Sequence, residues 1–242
     1  MPITPFCRIG SKKHLIDLIG QYAPKEFKTY IEPFVGSGAV YLALSNPEVK
    51  SYLNDIDPLI SDAWKIVKAN PPLKNLNKYT EMNLDQRQRF VDRDHSDKLD
   101  RLASILYTQA GTFCGVCRGK LYKAPDITKK LKKIPELSEF MKNTKVSNVD
   151  WKSLLKHDSS KTFFFLDPPY ENHTRTYKCK TIDYAEMANL LSKLKGKFML
   201  TINDSAHIRD TFKAFRIVPF VVPGKAGKIG KLDRRELLIL NY

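Results

Sequence analysis

Asp167, Pro168, Pro169 and Tyr170 follow directly on the largely aromatic run TFFFL, residues 162–166. Proline fixes φ near −65° and has no N–H, so neither a strand nor a helix continues through this point. Asp167 precedes a proline and is therefore pushed towards extended backbone. The Pro168 carbonyl is then held in a nearly preset direction beside the Asp167 carboxylate. Two rigid acceptors side by side suit the two hydrogens of one amino group, and Tyr170 adds a flat face for a heterocycle. A ring amine is a poor nucleophile because its lone pair is delocalised into the ring. Acceptors on both hydrogens return density to the nitrogen and stabilise the positive charge that develops as it attacks. No histidine base or cysteine nucleophile is needed, and the sequence contains no evident triad. The plain alternative is a loop in which two prolines end a strand.

A second stretch with chemical content is IEPFVGSGAV, residues 31–40. A strand ends, the chain turns through Gly36 and Gly38, and a helix begins, so N–H groups at the helix start face a ligand. The third glycine of the dinucleotide fingerprint is missing, since Tyr41 holds its place. Asp55 falls about twenty residues after the turn, at the end of the next strand, where an acid can bind both hydroxyls of a ribose. Glu32, just before the turn, is unwelcome beside a pyrophosphate and acceptable beside a cation. Together these residues point to a phosphate-free adenosyl ligand such as S-adenosylmethionine. The competing role for Asp55 is to cap the helix that begins near Pro58.

The elements that must position these groups follow from periodicity. Apolar residues recur at helical spacing in SKKHLIDLIGQY. TYIEPFVGSGAVYLALS and KSYLNDIDPLISDAWKIVKAN each read as strand, turn and helix, and NPP at 70–72 closes the second. Residues 73–145 differ in character, polar at first and then basic. Between Arg118 and Lys145 there are nine basic and three acidic side chains. These residues read as an insert into a domain formed by 1–72 and 146–242. The strand-helix rhythm resumes with KVSNVDW, KTFFFLD, DYAEMANLLSKLKG and KFMLTIN. The runs FRIVPFVV and ELLILNY read as an antiparallel hairpin closing a mostly parallel sheet. The fold class is α/β, a doubly wound sheet buried on both faces.

Composition narrows the partners. The 242 residues carry 41 Lys and Arg against 26 Asp and Glu, a formal charge of +15. That balance suits nucleic acid, where each cation placed at a phosphate releases counterions. No run approaches the ~20 apolar residues of a membrane span, and the first residues lack the apolar region of a secretory signal. An intracellular protein, without membrane attachment, is expected. Cys7, Cys114, Cys117 and Cys179 do not make a disulfide framework. CGVC at 114–117 lacks the second pair that a structural zinc site needs, so no metal is expected.

With these motifs in place, the chain resembles the Dam-type, or D12 class, family of DNA adenine-N6 methyltransferases, over most of its length and in the family's motif order. RIGSKKHLIDLI resembles the N-terminal cofactor motif, with Gly10 and Lys12 at its glycine and lysine. YIEPFVGSGAVYL resembles the family's first cofactor motif, NDID its ribose segment, FLDPPY its catalytic motif and RRELLILNY its C-terminal strand. Asp150 sits where the family places the acid that meets the cofactor's adenine. The resemblance implies a Rossmann-like methyltransferase sheet and S-adenosylmethionine held by Arg8, Gly10, Lys12, Glu32, Phe34, Gly36, Gly38, Asp55, Asp150, Trp151 and Asp167. It further implies a mostly helical target-recognition insert whose hairpin, TFCGVCRGKLY, brings Arg118, Lys120 and Lys123 to double-stranded DNA. Arg175 would clamp the backbone near an adenine flipped out of the duplex.

The chain departs from the family at Arg8, where an aromatic residue is usual, and in a hairpin shortened between Arg118 and Gly119. That shortening leaves the recognition sequence open, GATC being the family's commonest. A monomer is expected, or a dimer on DNA, in the cytoplasm or nucleoid of a host cell; a viral origin and a restriction-modification role both fit. RNA adenine, cytosine N4, a protein glutamine amide and a catalytically silent DNA-binding protein remain as alternatives.

Overall fold

The computed structural model of the chain describes residues 3–7, 10–112, 120–123, 125–171, 182–223 and 233–242. After a 3₁₀ turn at Lys12–Leu15 come α1 (Ile16–Tyr22), β1 (Thr29–Glu32), α2 (Ala39–Leu44), β2 (Lys50–Asn54) and α3 (Pro58–Ala69). A helical stretch follows: α4 (Asn77–Glu81), α5 (Leu84–Val91), α6 (Lys98–Gly111), α7 (Thr128–Leu131) and α8 (Ile134–Phe140). Next are β3 (Thr144–Ser147), a 3₁₀ segment at Trp151–His157, and β4 (Thr162–Leu166). The chain then runs through α9 (Tyr184–Leu191), β5 (Lys197–Asn203), α10 (Ala206–Thr211), β6 (Arg216–Val222) and β7 (Arg234–Leu240). Contacts divide the chain into two compact units, one of Met1–Tyr22 with Val35–Asn148 and one of Ala23–Phe34 with Val149–Tyr242.

The second unit holds five strands in the order β1-β4-β5-β7-β6. β1, β4 and β5 pair in parallel, and β7 is antiparallel to both β5 and β6. All of β4 is buried, with Phe163 and Phe164 at 0% exposure. This is the two-sided burial expected of TFFFL, each phenylalanine contributing about 2 kcal/mol of apolar transfer. The C-terminal runs pair as expected, with Val218 opposite Leu238. The later strand β7 takes the place beside β5, with Thr201 opposite Leu238 and Asn203 opposite Glu236. The more polar β6 is left at the edge, where Pro219 costs no ladder bond on its open side. The helix expected to run from Asp183 to Gly196 ends at Leu191. The amides of Lys193 and Leu194 bond three residues back, so its tail winds more tightly.

In the first unit β2 pairs in parallel with β3, Leu53 opposite Val146. α3 begins as the sequence directs. Asp57 accepts from the Leu59 amide at 3.1 Å, Pro58 opens the helix, and Asn70 closes it in the left-handed region at φ 47°. The stretch expected to be helical does form helices, α5 starting at a reciprocal Asn83–Gln86 capping box. Arg87, 4% exposed, ties them: its guanidinium donates to the carbonyls of Met82, Thr80 and Pro125 and lies 5.0 Å from the Tyr107 ring centre.

The buried tyrosines of these helices make stability pH-dependent. Tyr79 donates to Asp100 at 2.6 Å, and Tyr107 donates to the Tyr79 carbonyl. Burial pushes the Tyr79 phenol well above its ordinary value and the Tyr107 phenol up to about 12. A raised folded-state value means the folded chain keeps protons that the unfolded chain loses. The stabilisation is complete below pH ~10 and is lost as pH rises from there through about 12. Urea midpoints are expected to hold between pH 8 and 9 and to fall steadily above 10. A flat profile to pH 11.5 would rule this out.

Candidate active site

In the first unit the glycine turn is built by its neighbours. The Val35 amide donates to the Asn54 carbonyl at 2.8 Å, and the Gly36 amide donates to Asp55 Oδ2 at 2.9 Å. Gly36 and Gly38 have φ of +46° and +65°, the region that glycine alone enters freely. A Cβ on Gly38 would lie 2.3 Å from Trp64 Cζ2. Trp64 is fully buried and donates from its ring to the Gly36 carbonyl at 3.2 Å. The backbone of the turn thus lies directly on an indole.

Asp55 does not cap the helix. Asp57 does so, and the second Asp55 oxygen accepts instead from the Asp57 amide at 3.0 Å. The two carboxylate oxygens of Asp55 thus accept from two backbone amides and shape the turn. The N-terminal motif reaches the same turn. Thr4 donates to the Ser37 carbonyl, and the Ser11 and Ser37 hydroxyls are 2.9 Å apart. Gly10 has φ +79°, and its carbonyl accepts from the buried Lys12 ammonium at 3.1 Å. Gly10, Lys12, Gly36, Gly38 and Asp55 therefore belong to one hydrogen-bonded neighbourhood. Arg8 lies outside the described residues.

In the second unit β1 and β4 are parallel, so Glu32 and Asp167 leave the sheet at the same, carboxyl, end, where open α/β sheets bind ligands. Glu32, 2% exposed, accepts from the Tyr30 hydroxyl at 2.6 Å. The Phe34 and Trp151 rings are 6.2 Å apart. Asp150 is exposed and caps the 3₁₀ segment through the Lys152 amide at 2.9 Å.

The four residues of the proline turn are held from three sides. Thr201 of β5 donates to Asp167 Oδ1 at 2.9 Å, fixing the carboxylate. The Tyr184 hydroxyl of α9 donates to the Pro169 carbonyl. The Tyr170 hydroxyl donates to Glu236 Oε2 of β7 at 2.7 Å. Among the described residues no donor reaches the Pro168 carbonyl. Tyr170 is a phenol and not a base, because burial, with Asp167 and Glu236 nearby, pushes its ionisation well above the ordinary value. Thr201, Tyr184 and Glu236 escaped the sequence reading. For Thr201 and Glu236 the signal was a polar residue inside an otherwise apolar strand, in KFMLTIN and before LLILNY; Tyr184, at the start of a helix, carried none.

Of the residues expected at DNA, Lys120 and Lys123 are exposed. The segment carrying them is fixed through the amide of Leu121 to the Gln88 side chain at 2.8 Å and that of Tyr122 to the Gly111 carbonyl at 2.8 Å. Arg118, Arg175, Cys114, Cys117 and Cys179 lie outside the described residues. Among the described residues no helix is long and apolar enough to cross a membrane.

Comparison with known proteins agrees with the geometry. A family model described as D12 class N6 adenine-specific DNA methyltransferase matches residues 9–220. The type II methyltransferase M1.LlaDCHI of Lactococcus lactis subsp. cremoris is 25% identical, over 99% of this chain and 96% of that protein. The type II methyltransferase M.MjaIII of Methanocaldococcus jannaschii is 25% identical over the whole of both chains. A DNA adenine methylase of Vibrio cholerae is 25% identical over 86% of this chain and 84% of its own.

Proposed function

We propose, because the chain belongs to the D12 class N6 adenine-specific DNA methyltransferase family, specific roles for its residues in the transfer of a methyl group to adenine N6 of DNA. S-adenosylmethionine supplies the electrophilic methyl. The residues present fit that donor. A turn of two left-handed glycines backed by an indole, with carboxylates rather than cations at Glu32 and Asp55, suits a cationic adenosyl ligand without phosphates. Asp55 takes the ribose hydroxyls, Asp150 the adenine, Phe34 and Trp151 its faces, and Gly10, Lys12, Gly36 and Gly38 shape the walls. Arg8 belongs to the same set.

The observation that carries the catalytic reading is the asymmetry of the turn's carbonyls. Tyr184 occupies that of Pro169, whereas no donor among the described residues reaches that of Pro168, next to the oriented Asp167 carboxylate. Asp167 and the Pro168 carbonyl accept the two N6 hydrogens, Pro169 stiffens the turn, and Tyr170 stacks on the base. The bound donor would supply the methyl group that N6 takes, and Asp167 would accept the proton that N6 then gives up and pass it to solvent. An adenine paired in a duplex cannot reach such a turn, which supports base flipping.

Residues 73–145 act as the target-recognition insert of a catalytic domain formed by 1–72 and 146–242. Arg118, Lys120 and Lys123 contact phosphate or base edges, and Arg175 clamps backbone beside the flipped base. The enzyme works inside a cell, as a monomer or as a dimer on DNA.

The test is to incubate the purified protein with methyl-labelled cofactor and unmethylated duplex DNA, RNA or protein extract, then digest and identify the product. N6-methyladenine from duplex DNA is expected. Label only in RNA, in N4-methylcytosine or in protein would overturn the substrate assignment.

A further inference from the structure

β7 is apolar and buried from Leu237 to Leu240, and Glu236 opens this run at 3% exposure. A buried carboxylate is costly unless hydrogen-bonded, and a leucine there would continue its neighbours at lower cost. Among the described residues the Glu236 side chain makes two polar contacts. One is the hydroxyl of Tyr170 at 2.7 Å. The other is the half-exposed Arg234, whose guanidinium is 3.9 Å from Oε1, beyond hydrogen-bond reach. Strand register places Glu236 opposite Asn203, which accepts from the Glu171 amide at 3.4 Å, and two pairs along lies Thr201, which holds Asp167. The tyrosine ring is therefore tied to the same pair of strands that aims the catalytic carboxylate.

We infer that Glu236 is a positioning residue for methyl transfer, acting through the Tyr170 hydroxyl to fix the ring on which the target adenine stacks and to enrich that ring's electron density. This rests on the reading of Tyr170 as the stacking face. A phenol that donates to a carboxylate has a more negative ring face. Positive charge grows on adenine as N6 bonds to the methyl, so the ring meets the transition state better than the ground state. The effect therefore belongs in kcat rather than in the KM for cofactor or DNA. Removing only the buried charge leaves the core intact, which separates this role from a structural one.

The experiment compares Glu236→Leu, Glu236→Gln, Tyr170→Phe and the double variant Tyr170→Phe/Glu236→Leu, with Tyr170→Ala testing the underlying reading. Urea midpoints and steady-state kinetics are read on each. Glu236→Leu is expected to keep or exceed the parent midpoint while kcat falls about 10–100-fold and both KM values stay within about 3-fold. Glu236→Gln, which still accepts from the phenol, is expected to recover about tenfold of that loss. In the Tyr170→Phe background the leucine is expected to cost less than about twofold, because the link is already gone. Equal cost in both backgrounds, or loss of stability with turnover retained, would overturn the inference. Should Glu236→Leu fail to fold, the same comparison with Glu236→Gln decides: a loss of the same size with and without the hydroxyl overturns it. Wild-type turnover in Tyr170→Ala would instead remove the stacking reading itself.

Discussion

Replacing Asp167 by alanine is expected to lower methyl transfer by about 10²–10³-fold or more, the scale of losing one preorganised group at a developing charge. Duplex binding should stay within about 3-fold, because the basic side chains assigned to DNA belong to other segments. Asp167→Asn is the sharper variant. Thr201 donates to one carboxylate oxygen at 2.9 Å, so an asparagine turns its own oxygen to Thr201 and leaves its NH₂ towards the substrate amine. Two donors then face each other where donor and acceptor are needed. Asparagine, although isosteric, should be as inactive as alanine. Initial rates with labelled cofactor and anisotropy with a fluorescent duplex measure the two quantities. Near-parental turnover in the asparagine variant would show that the carboxylate does not accept from N6.

Gly38→Ala is expected to destabilise the chain by about 2–5 kcal/mol and to weaken cofactor binding at least about tenfold. Two costs add. An L-residue at φ +65° is strained by ~1–2 kcal/mol, and the new methyl would lie 2.3 Å from Trp64 Cζ2. The indole has no room to retreat. Phe6 packs on it edge-on at 4.9 Å, Tyr41 at 6.4 Å, and its N–H is bonded to Gly36. Overpacking of this kind costs about 1–3 kcal/mol, and relief comes only by moving the turn proposed to line the cofactor. Gly20→Ala is the control. It lies in α1 with nothing within 4 Å of an added Cβ, so helix propensity should stabilise it by up to ~1 kcal/mol. Urea unfolding and equilibrium dialysis with cofactor measure both. Equal midpoints for the two variants would refute this account of the turn.

Much of this was legible in the residue order. TFFFL followed by Asp-Pro-Pro announces a buried strand with an abrupt end, because aromatic side chains favour two-sided burial and proline cannot donate to a ladder. The glycine turn, α3 with its Asp and Pro start, and the paired C-terminal runs are equally local, as is the residue set of the cofactor motif. α10 was not foreseen. Its Ser205 cap is an ordinary serine in sequence, and only the bond to the Ile208 amide at 3.1 Å makes it a helix start. The division of labour in NDID was also hidden, since Asp55 and Asp57 are the same residue type two positions apart, and geometry alone gives the turn to one and the helix to the other.

What only the tertiary structure decided is how the proline turn is aimed. Thr201 lies 34 residues from Asp167, and Glu236 lies 66 from Tyr170. Such distances leave no periodic trace, and a lone polar residue in an apolar strand does not name its partner. The partnership exists because β7 inserts beside β5 and so brings Glu236 opposite Asn203. Strand order is a property of the folded sheet, set by which faces can be buried together. The sequence by itself determined which groups could do the chemistry, because their types and close spacing constrain the local backbone. The sheet then chose the side chains that hold them still.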